Sequence, residues 1–264
     1  MNSKEKAVIY KDIKEITASK EIYIPMIIVP LIFVIVIPTI MIIGTHFSYQ
    51  GGKMINGMDT LIKKLPMEYS KLSLQQLIIT VGVDYMFPSL FLLIPIMASS
   101  IIGASSFVGE KEHKTLETLL YTPITMEELF RAKLLGVFIP SYIVSVISFL
   151  AFGIVINIGG FLYFSKLIFP NLKWLILIFY LVPGITLLGL TFTVLVSAKS
   201  KSFQEAQQVS GFIVVPVILL IVGQATGLFL LTNIILISIG TAVFIIDYIL
   251  LKKLSSRFVS EKLI

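Results

Sequence analysis

The sequence lacks cysteine altogether and has few charged residues. Of its 264 residues, 14% are Asp, Glu, Lys or Arg, whereas 56% belong to the hydrophobic set. Soluble domains carry about 25% charged residues, so the composition excludes a water-soluble globule. The absence of cysteine excludes disulfide frameworks, thiolate metal sites and cysteine nucleophiles. The chain is therefore expected to reside in a lipid bilayer.

The apolar residues lie in long blocks. Alternating or heptad spacing is not seen, which excludes an outer-membrane barrel and a coiled coil. A helix needs about 20 apolar residues to cross the hydrocarbon layer, and six segments have this length. We predict one all-α transmembrane domain over residues 1–264, with a tail at 252–264. The predicted spans are 24–43, 77–107, 134–156, 174–196, 209–231 and 233–251.

The basic residues are distributed unevenly between the connections. With the N-terminus placed in the cytoplasm, 15 of the 21 Lys and Arg residues lie inside and 6 lie outside. The positive-inside rule then predicts a multi-pass protein of the cell membrane with both termini cytoplasmic. The net charge of +6 reflects this bias and attraction to anionic lipid, and we expect no nucleic-acid partner. The first span is too long for a cleaved signal peptide and is expected to remain.

Residues 1–23 precede the first span and are polar enough to stay out of the bilayer core. Ile9, Ile13 and Ile16 fall at helical spacing, and we place Lys11, Asp12, Lys14 and Glu15 on the opposite face. This pattern predicts an amphipathic elbow helix that lies in the cytoplasmic interface. A solvated tail is the alternative.

The second predicted span is longer than the bilayer requires, so it must tilt, bend or project. Pro88 and Pro95 provide bend points. Its inner end is small and polar and includes Ser99 and Ser100, which favours either close helix packing or a substrate pathway. Asp84, near the outer end, is a candidate substrate or ion contact.

The outer connections differ in length. The loop 44–76 is the longest, and its apolar spacing before Pro66 predicts a short surface helix over 58–65. The turn near Thr232 is very short, so spans five and six are expected to form a tight hairpin. Gly223 and Gly227 have the spacing of a helix-packing face.

The connection between the second and third spans has the most informative pattern. Leu116, Leu119 and Leu120 form an apolar stripe on a helix that otherwise presents charges, and Pro123 ends that helix. Thr125 and Glu128 then have the spacing of a capping box, which restarts a helix. An apolar stripe of this kind needs lipid or a partner protein to cover it.

The run from Gly109 to Lys133 contains the pattern EKE-x-x-TLE-x-LL-x-x-P, from Glu110 to Pro123. This pattern resembles the signature of ABC-2 type transporter permeases, which follows the second span in that family. The six-span layout and the N-terminal elbow agree with the resemblance. It implies a transport subunit without catalytic residues, whose loop forms a coupling helix against a separate ATPase. The coupling residues it implies are Glu110, Lys111, Glu112, Thr115, Leu116, Glu117, Leu119, Leu120 and Pro123.

The resemblance further implies an exporter that works as a dimer, with a second copy or a related permease, bound to two ATPase subunits. ATP and Mg²⁺ would bind those subunits, because the only Gly-Gly-Lys here, at 51–53, does not match a phosphate-binding loop. The substrate classes it implies are drugs, peptides, lipids, polysaccharides and Na⁺. The alternative is a standalone secondary transporter or channel, which would carry intramembrane charges at the midplane.

The remaining polar residues give weaker signals. His46 and His113 have no companions at metal-ligand spacing, so no metal site is expected. Asp247 lies near Lys252 and Lys253, and we expect it to reach the aqueous boundary or to pair with one of them.

Overall fold

The computed structural model describes residues 3–48, 69, 71–109, 124–226 and 228–259. Six of its helices are long and apolar enough to cross a membrane, which confirms the all-helical six-span prediction. No strand occurs in those ranges. In chain order the six candidate spans are Lys20–Thr45, Leu74–Gly109, Glu127–Phe164, Leu172–Ser197, Phe203–Ala225 and Asn233–Leu254.

Several spans are composite helices, because wider π-helical or tighter 3₁₀ turns interrupt them. The first span comprises Lys20–Pro30, Leu31–Val36 (π) and Ile37–Ser48, and the second comprises Leu74–Val81, Gly82–Met86 (π), Phe87–Phe91, Leu93–Ala104 and Ser105–Gly109 (π). The third is the single helix Met126–Phe164. The fourth comprises Leu172–Ile176, Leu177–Leu181 (π) and Val182–Ser197. The fifth comprises Phe203–Ser210, Gly211–Val214 (3₁₀) and Val215–Ala225, and the sixth lies in Asn233–Val259.

The second and fourth spans form the centre of the bundle. Their most apolar windows are 67% and 56% buried, against 22% for the first and sixth spans. Trp174 is fully buried, packs edge-on against Phe91 and donates from Nε1 to the carbonyl of Val83 at 3.0 Å. The first, fifth and sixth spans therefore lie at the periphery, where their exposed isoleucines and leucines can face lipid or another chain.

The second span bends where the prolines predict. Its helix breaks at Leu92, between the segments Phe87–Phe91 and Leu93–Ala104. The first segment has Pro88 near its N-terminus, and the second contains Pro95. Each proline lacks the amide hydrogen that would continue the ladder. The π turn Gly82–Met86, which precedes the segment Phe87–Phe91, contains Asp84.

The fifth span ends earlier than the sequence predicts. The helix stops at Ala225 instead of near residue 231, and the next helix begins at Asn233. The amide of Leu228 donates to the carbonyl of Gly223 at 2.9 Å, which closes the helix end. Residues 226–232 therefore form a longer connection, and the prediction of a turn confined to Thr232 is wrong. Gly223 packs against Phe229 of its own chain, and Gly227 lies outside the described residues.

An N-terminal helix, Ser3–Ala18, precedes the first span. We call the end of the bundle that carries this helix the inner face, and the opposite end the outer face. The N-terminal helix packs along the start of the third-span helix, where Val8 and Ile9 contact Leu129 and Ala132. Its apolar stripe thus contacts protein rather than lipid. Its placement in the membrane interface stays a prediction.

Candidate functional site

The predicted coupling residues lie outside the part of the chain that the structure describes. Residues 110–123 separate two described ends: the π turn Ser105–Gly109 of the second span and Ile124, before the third-span helix. The short surface helix predicted within the loop 44–76 also lies outside.

The third-span helix begins at a capping box, as the sequence predicts. The hydroxyl of Thr125 accepts a hydrogen bond from the amide of Glu128 at 3.2 Å. The Glu128 carboxylate in turn accepts from the amide of Thr125 at 3.0 Å. These bonds satisfy two amides that a helix N-terminus otherwise leaves without partners. The 110–123 segment is thus followed by a rigid helix that starts at Met126.

Three buried polar residues from separate elements meet beside this segment. Ser106 of the second span donates from its hydroxyl to the Asp12 carboxylate at 3.1 Å. Lys133 of the third-span helix donates from Nζ to the Ser106 carbonyl at 2.5 Å and lies 3.4 Å from the Ser106 hydroxyl. Asp12, Ser106 and Lys133 are 3%, 6% and 2% exposed. We call this group the inner junction.

Gly136 allows the N-terminal helix to approach this closely. A Cβ atom at Gly136 would lie 2.9 Å from Oδ2 of Asp12 and 3.3 Å from its Cβ, so a side chain at this position would force Asp12 to shift. Around the inner junction, Ile16 packs with Ile102, Phe130 and Val137 in one apolar cluster. Oppositely charged groups are therefore held in an apolar setting, where water screens their interaction little.

A cleft opens on the inner face next to Gly109. Its volume is about 390 Å³, and its lining includes Glu15, Glu21, Ser105 and Phe203. A space of this size can hold a small molecule or several side chains of a partner. The cleft adjoins Gly109, the last described residue before the 110–123 segment.

The sequence interpretation missed the inner junction. We placed Asp12 opposite the isoleucine stripe, and this is wrong because its side chain is buried. Asp12 is three residues after Ile9 and four before Ile16, a spacing that puts all three on one helix face. Lys133 likewise lies four residues after Leu129 and four before Val137. In both helices, a charged residue on the apolar face is the sequence signal that could have indicated the inner junction.

Asp84 lies in a polar cluster at the outer face. Its carboxylate accepts hydrogen bonds from Tyr69 at 3.0 Å and from Asn171 at 2.5 Å. Lys173 donates to the Asp84 carbonyl at 2.7 Å and lies over the ring of Tyr85. Burial, followed by the nearby Asp84 charge, raises the pKa of the Tyr69 hydroxyl. The cluster joins the end of the outer loop to the fourth span.

Ser99 and Ser100 lie in the other half of the second span. The Ser99 hydroxyl donates to the carbonyl of Ile96 at 3.1 Å and fills the space above Gly189, so the second and fourth spans are in close contact there. The Ser100 hydroxyl is buried and has no hydrogen-bond partner in the described part of the chain. At 1.5 Å per residue, Asp84 and Ser99 are roughly 22 Å apart along the span. The structure does not bring the three predicted pathway residues together, and their role in a pathway stays a prediction.

The chain matches a known protein family but no individual known protein. No curated protein and no solved structure matches the chain. The family model described as ABC-2 family transporter protein matches residues 6–250. This range includes most of the N-terminal helix, the first five candidate spans, most of the sixth and the inner junction. The chain therefore belongs to the ABC-2 family of transporter proteins and is a membrane-spanning permease of an ABC transporter.

Proposed function

We propose that this permease is half of an ATP-driven exporter. It pairs with a second copy or a related permease, and two copies of a separate ATPase bind ATP and Mg²⁺ on its cytoplasmic side, which is the inner face. The inner junction carries the proposal, because it fixes three elements around the 110–123 segment that the resemblance assigns to the ATPase contact.

The junction supports a lever-like transmission of force. Lys133 ties the third-span helix to the last turn of the second span, and Asp12 ties the N-terminal helix to the same turn. A push on the 110–123 segment would then move both spans and the N-terminal helix together. Packed helices shift between discrete arrangements more readily than they deform, so a small displacement at this site can change the arrangement of the spans.

The central position of the second span fits this role. It contacts the fourth span along its length, with Gly103 against Thr193 and Gly189 against Ser99. Movement at the inner end of the second span is therefore passed to the fourth span by direct packing. Drugs, peptides, lipids, polysaccharides and Na⁺ are the substrate classes that the family resemblance suggests.

Cross-linking tests the ATPase contact. The chain has no cysteine, so Leu116→Cys and Leu120→Cys place single reactive thiols on the predicted coupling helix. We expect both to cross-link to a soluble ATPase encoded next to the permease gene. Leu167→Cys is the control, because Leu167 is exposed at the outer face. Absence of cross-links at 116 and 120, or equal cross-linking at 167, would contradict the proposed docking surface.

A functional test separates docking from coupling. Leu116→Ala and Glu110→Gln should lower transport more than they lower ATP hydrolysis by the reconstituted complex. Transport by the purified permease without any ATPase would favour the alternative, a secondary transporter or channel.

A further inference from the structure

Asp247 is an acid buried inside the membrane-spanning bundle. It lies in the sixth span and is 2% exposed, and neither carboxylate oxygen has a hydrogen-bond partner in the described part of the chain. The prediction that it reaches the aqueous boundary or pairs with Lys252 or Lys253 is wrong, because Asp247 is buried and neither oxygen bonds a lysine, whereas both lysines are exposed. The helix turns Asp247 toward the bundle instead.

The fourth span covers Asp247. The two helices are in close contact toward the outer face, where Gly184 meets Val243 and the hydroxyl of Tyr180 bonds that of Thr241 at 2.9 Å. Thr191 is the polar side chain that reaches toward Asp247. Its hydroxyl donates to the carbonyl of Leu188 at 3.1 Å.

Neither carboxylate oxygen of Asp247 is hydrogen-bonded to a charged side chain among the described residues. The helix Val182–Ser197 contains no Asp, Glu, Lys, Arg or His, and Lys173, in the first turn of the fourth span, is held at Asp84. The charges of the third-span helix all lie in its first two turns, and its Tyr142 donates to the Ile178 carbonyl. These charged residues are Glu127, Glu128, Arg131 and Lys133.

An ionised carboxylate in this setting has lost its water and gained no charged partner, which is strongly unfavourable inside a bilayer. A positive charge must neutralise it. A hard metal cation such as Ca²⁺ or Mg²⁺ takes about six or more oxygen ligands, whereas the Asp247 carboxylate and the Thr191 hydroxyl together supply three. A proton needs one oxygen, so it fits the site.

We propose that Asp247 is a proton-binding site in the contact between the fourth and sixth spans. One carboxylate oxygen takes a proton from a hydronium ion, an O–H bond forms, and water is released. The neutral acid allows the sixth span to pack against the fourth. A movement that admits water to this contact lets the proton leave, so the packing of the sixth span depends on pH. This role requires no ATPase and goes beyond the proposed function.

Solid-state NMR on the full chain in nanodiscs tests the site directly. The chain has four aspartates, Asp12, Asp59, Asp84 and Asp247, so ¹³C-labelled aspartate gives few carboxyl signals. We expect one signal of a protonated carboxyl group at a pH of about 5, where ordinary aspartates are mostly ionised, and Asp247→Asn should remove that signal. If all four carboxyl groups are ionised at this pH in the wild type, the proposal is overturned without any need for the variant to fold.

Thermal unfolding against pH gives the second readout. The wild-type midpoint should fall by a few degrees as the pH rises above about 4, the ordinary aspartate pKa, because the folded chain keeps a proton that the unfolded chain has already released. Asp247→Asn should abolish this fall. Glu21→Gln is the matched control, because Glu21 is exposed at the inner face, and it should behave as wild type. A fall that persists in Asp247→Asn overturns the proposal. Stabilisation by Na⁺ at constant pH that requires Asp247 also overturns it, in favour of a metal site.

Discussion

Lys133 donates a hydrogen bond of 2.5 Å to the carbonyl oxygen of Ser106, and both residues are almost fully buried. The bond joins the first turns of the third-span helix to the last turn of the second span. It therefore holds together the two helices that precede and follow residues 110–123 in the sequence. Asp12 extends this connection to the N-terminal helix through the Ser106 hydroxyl.

Lys133→Met should destabilise the permease, because it leaves the Asp12 charge in a buried site without the nearby cation. Removal of one member of a buried charged pair costs about 3–5 kcal/mol. The measurement is the thermal unfolding midpoint of the purified chain. The double variant Asp12→Asn/Lys133→Met removes both charges and should recover much of the loss. A double variant that is as unstable as the sum of the single variants would show that the two charges are not coupled.

Gly136→Ala should loosen the N-terminal helix. The new methyl group would lie 2.9 Å from the Asp12 carboxylate, and overpacking of this kind costs about 1–3 kcal/mol. The matched control is Gly211→Ala, because a Cβ atom at Gly211 has nothing within 4 Å. Hydrogen exchange of the amides in Ser3–Ala18 measures the effect. Equal exchange in the two variants would argue against a close contact at Gly136.

Thr125→Ala should fray the start of the third-span helix, because it removes the acceptor for the Glu128 amide. Loss of such a cap costs about 0.5–2 kcal/mol. Faster hydrogen exchange at residues 127–129 is the expected result, and Thr125→Ser should retain wild-type protection. Unchanged exchange in Thr125→Ala would contradict the stabilising role of this cap.

The six spans and this cap could be predicted from the sequence, because both depend on local properties. A run of about 20 apolar residues is enough to specify a span, and Thr125 and Glu128 lie within one helical turn. The inner junction could not be predicted, since Asp12 and Ser106 are 94 residues apart and meet only through tertiary packing. The early end of the fifth span was also hidden, because residues 228–231 are as apolar as the helix before them.

Asp84→Asn should make Tyr69 easier to ionise. Burial raises the pKa of Tyr69, and the adjacent negative charge of Asp84 raises it further. The fold thus favours the neutral phenol of Tyr69, which ionises only at a pH above the ordinary tyrosine range. Without the Asp84 charge, tyrosinate absorbance assigned by a Tyr69→Phe difference should develop at lower pH than in the wild type. Identical titration curves would contradict the contact between the two residues.

The central claim is that ATP hydrolysis on a partner moves the spans through the inner junction. Spin labels at Leu162→Cys and Leu228→Cys, both exposed at the outer face, report the distance between the outer end of the third-span helix and the connection that follows the fifth span. The distance is measured in the permease bound to its ATPase. We predict that ATP changes this distance in the otherwise wild-type chain, and that Lys133→Met abolishes the change while ATP hydrolysis continues. A distance that does not change when ATP is added, or one that changes equally in the wild-type chain and in Lys133→Met, would contradict the account.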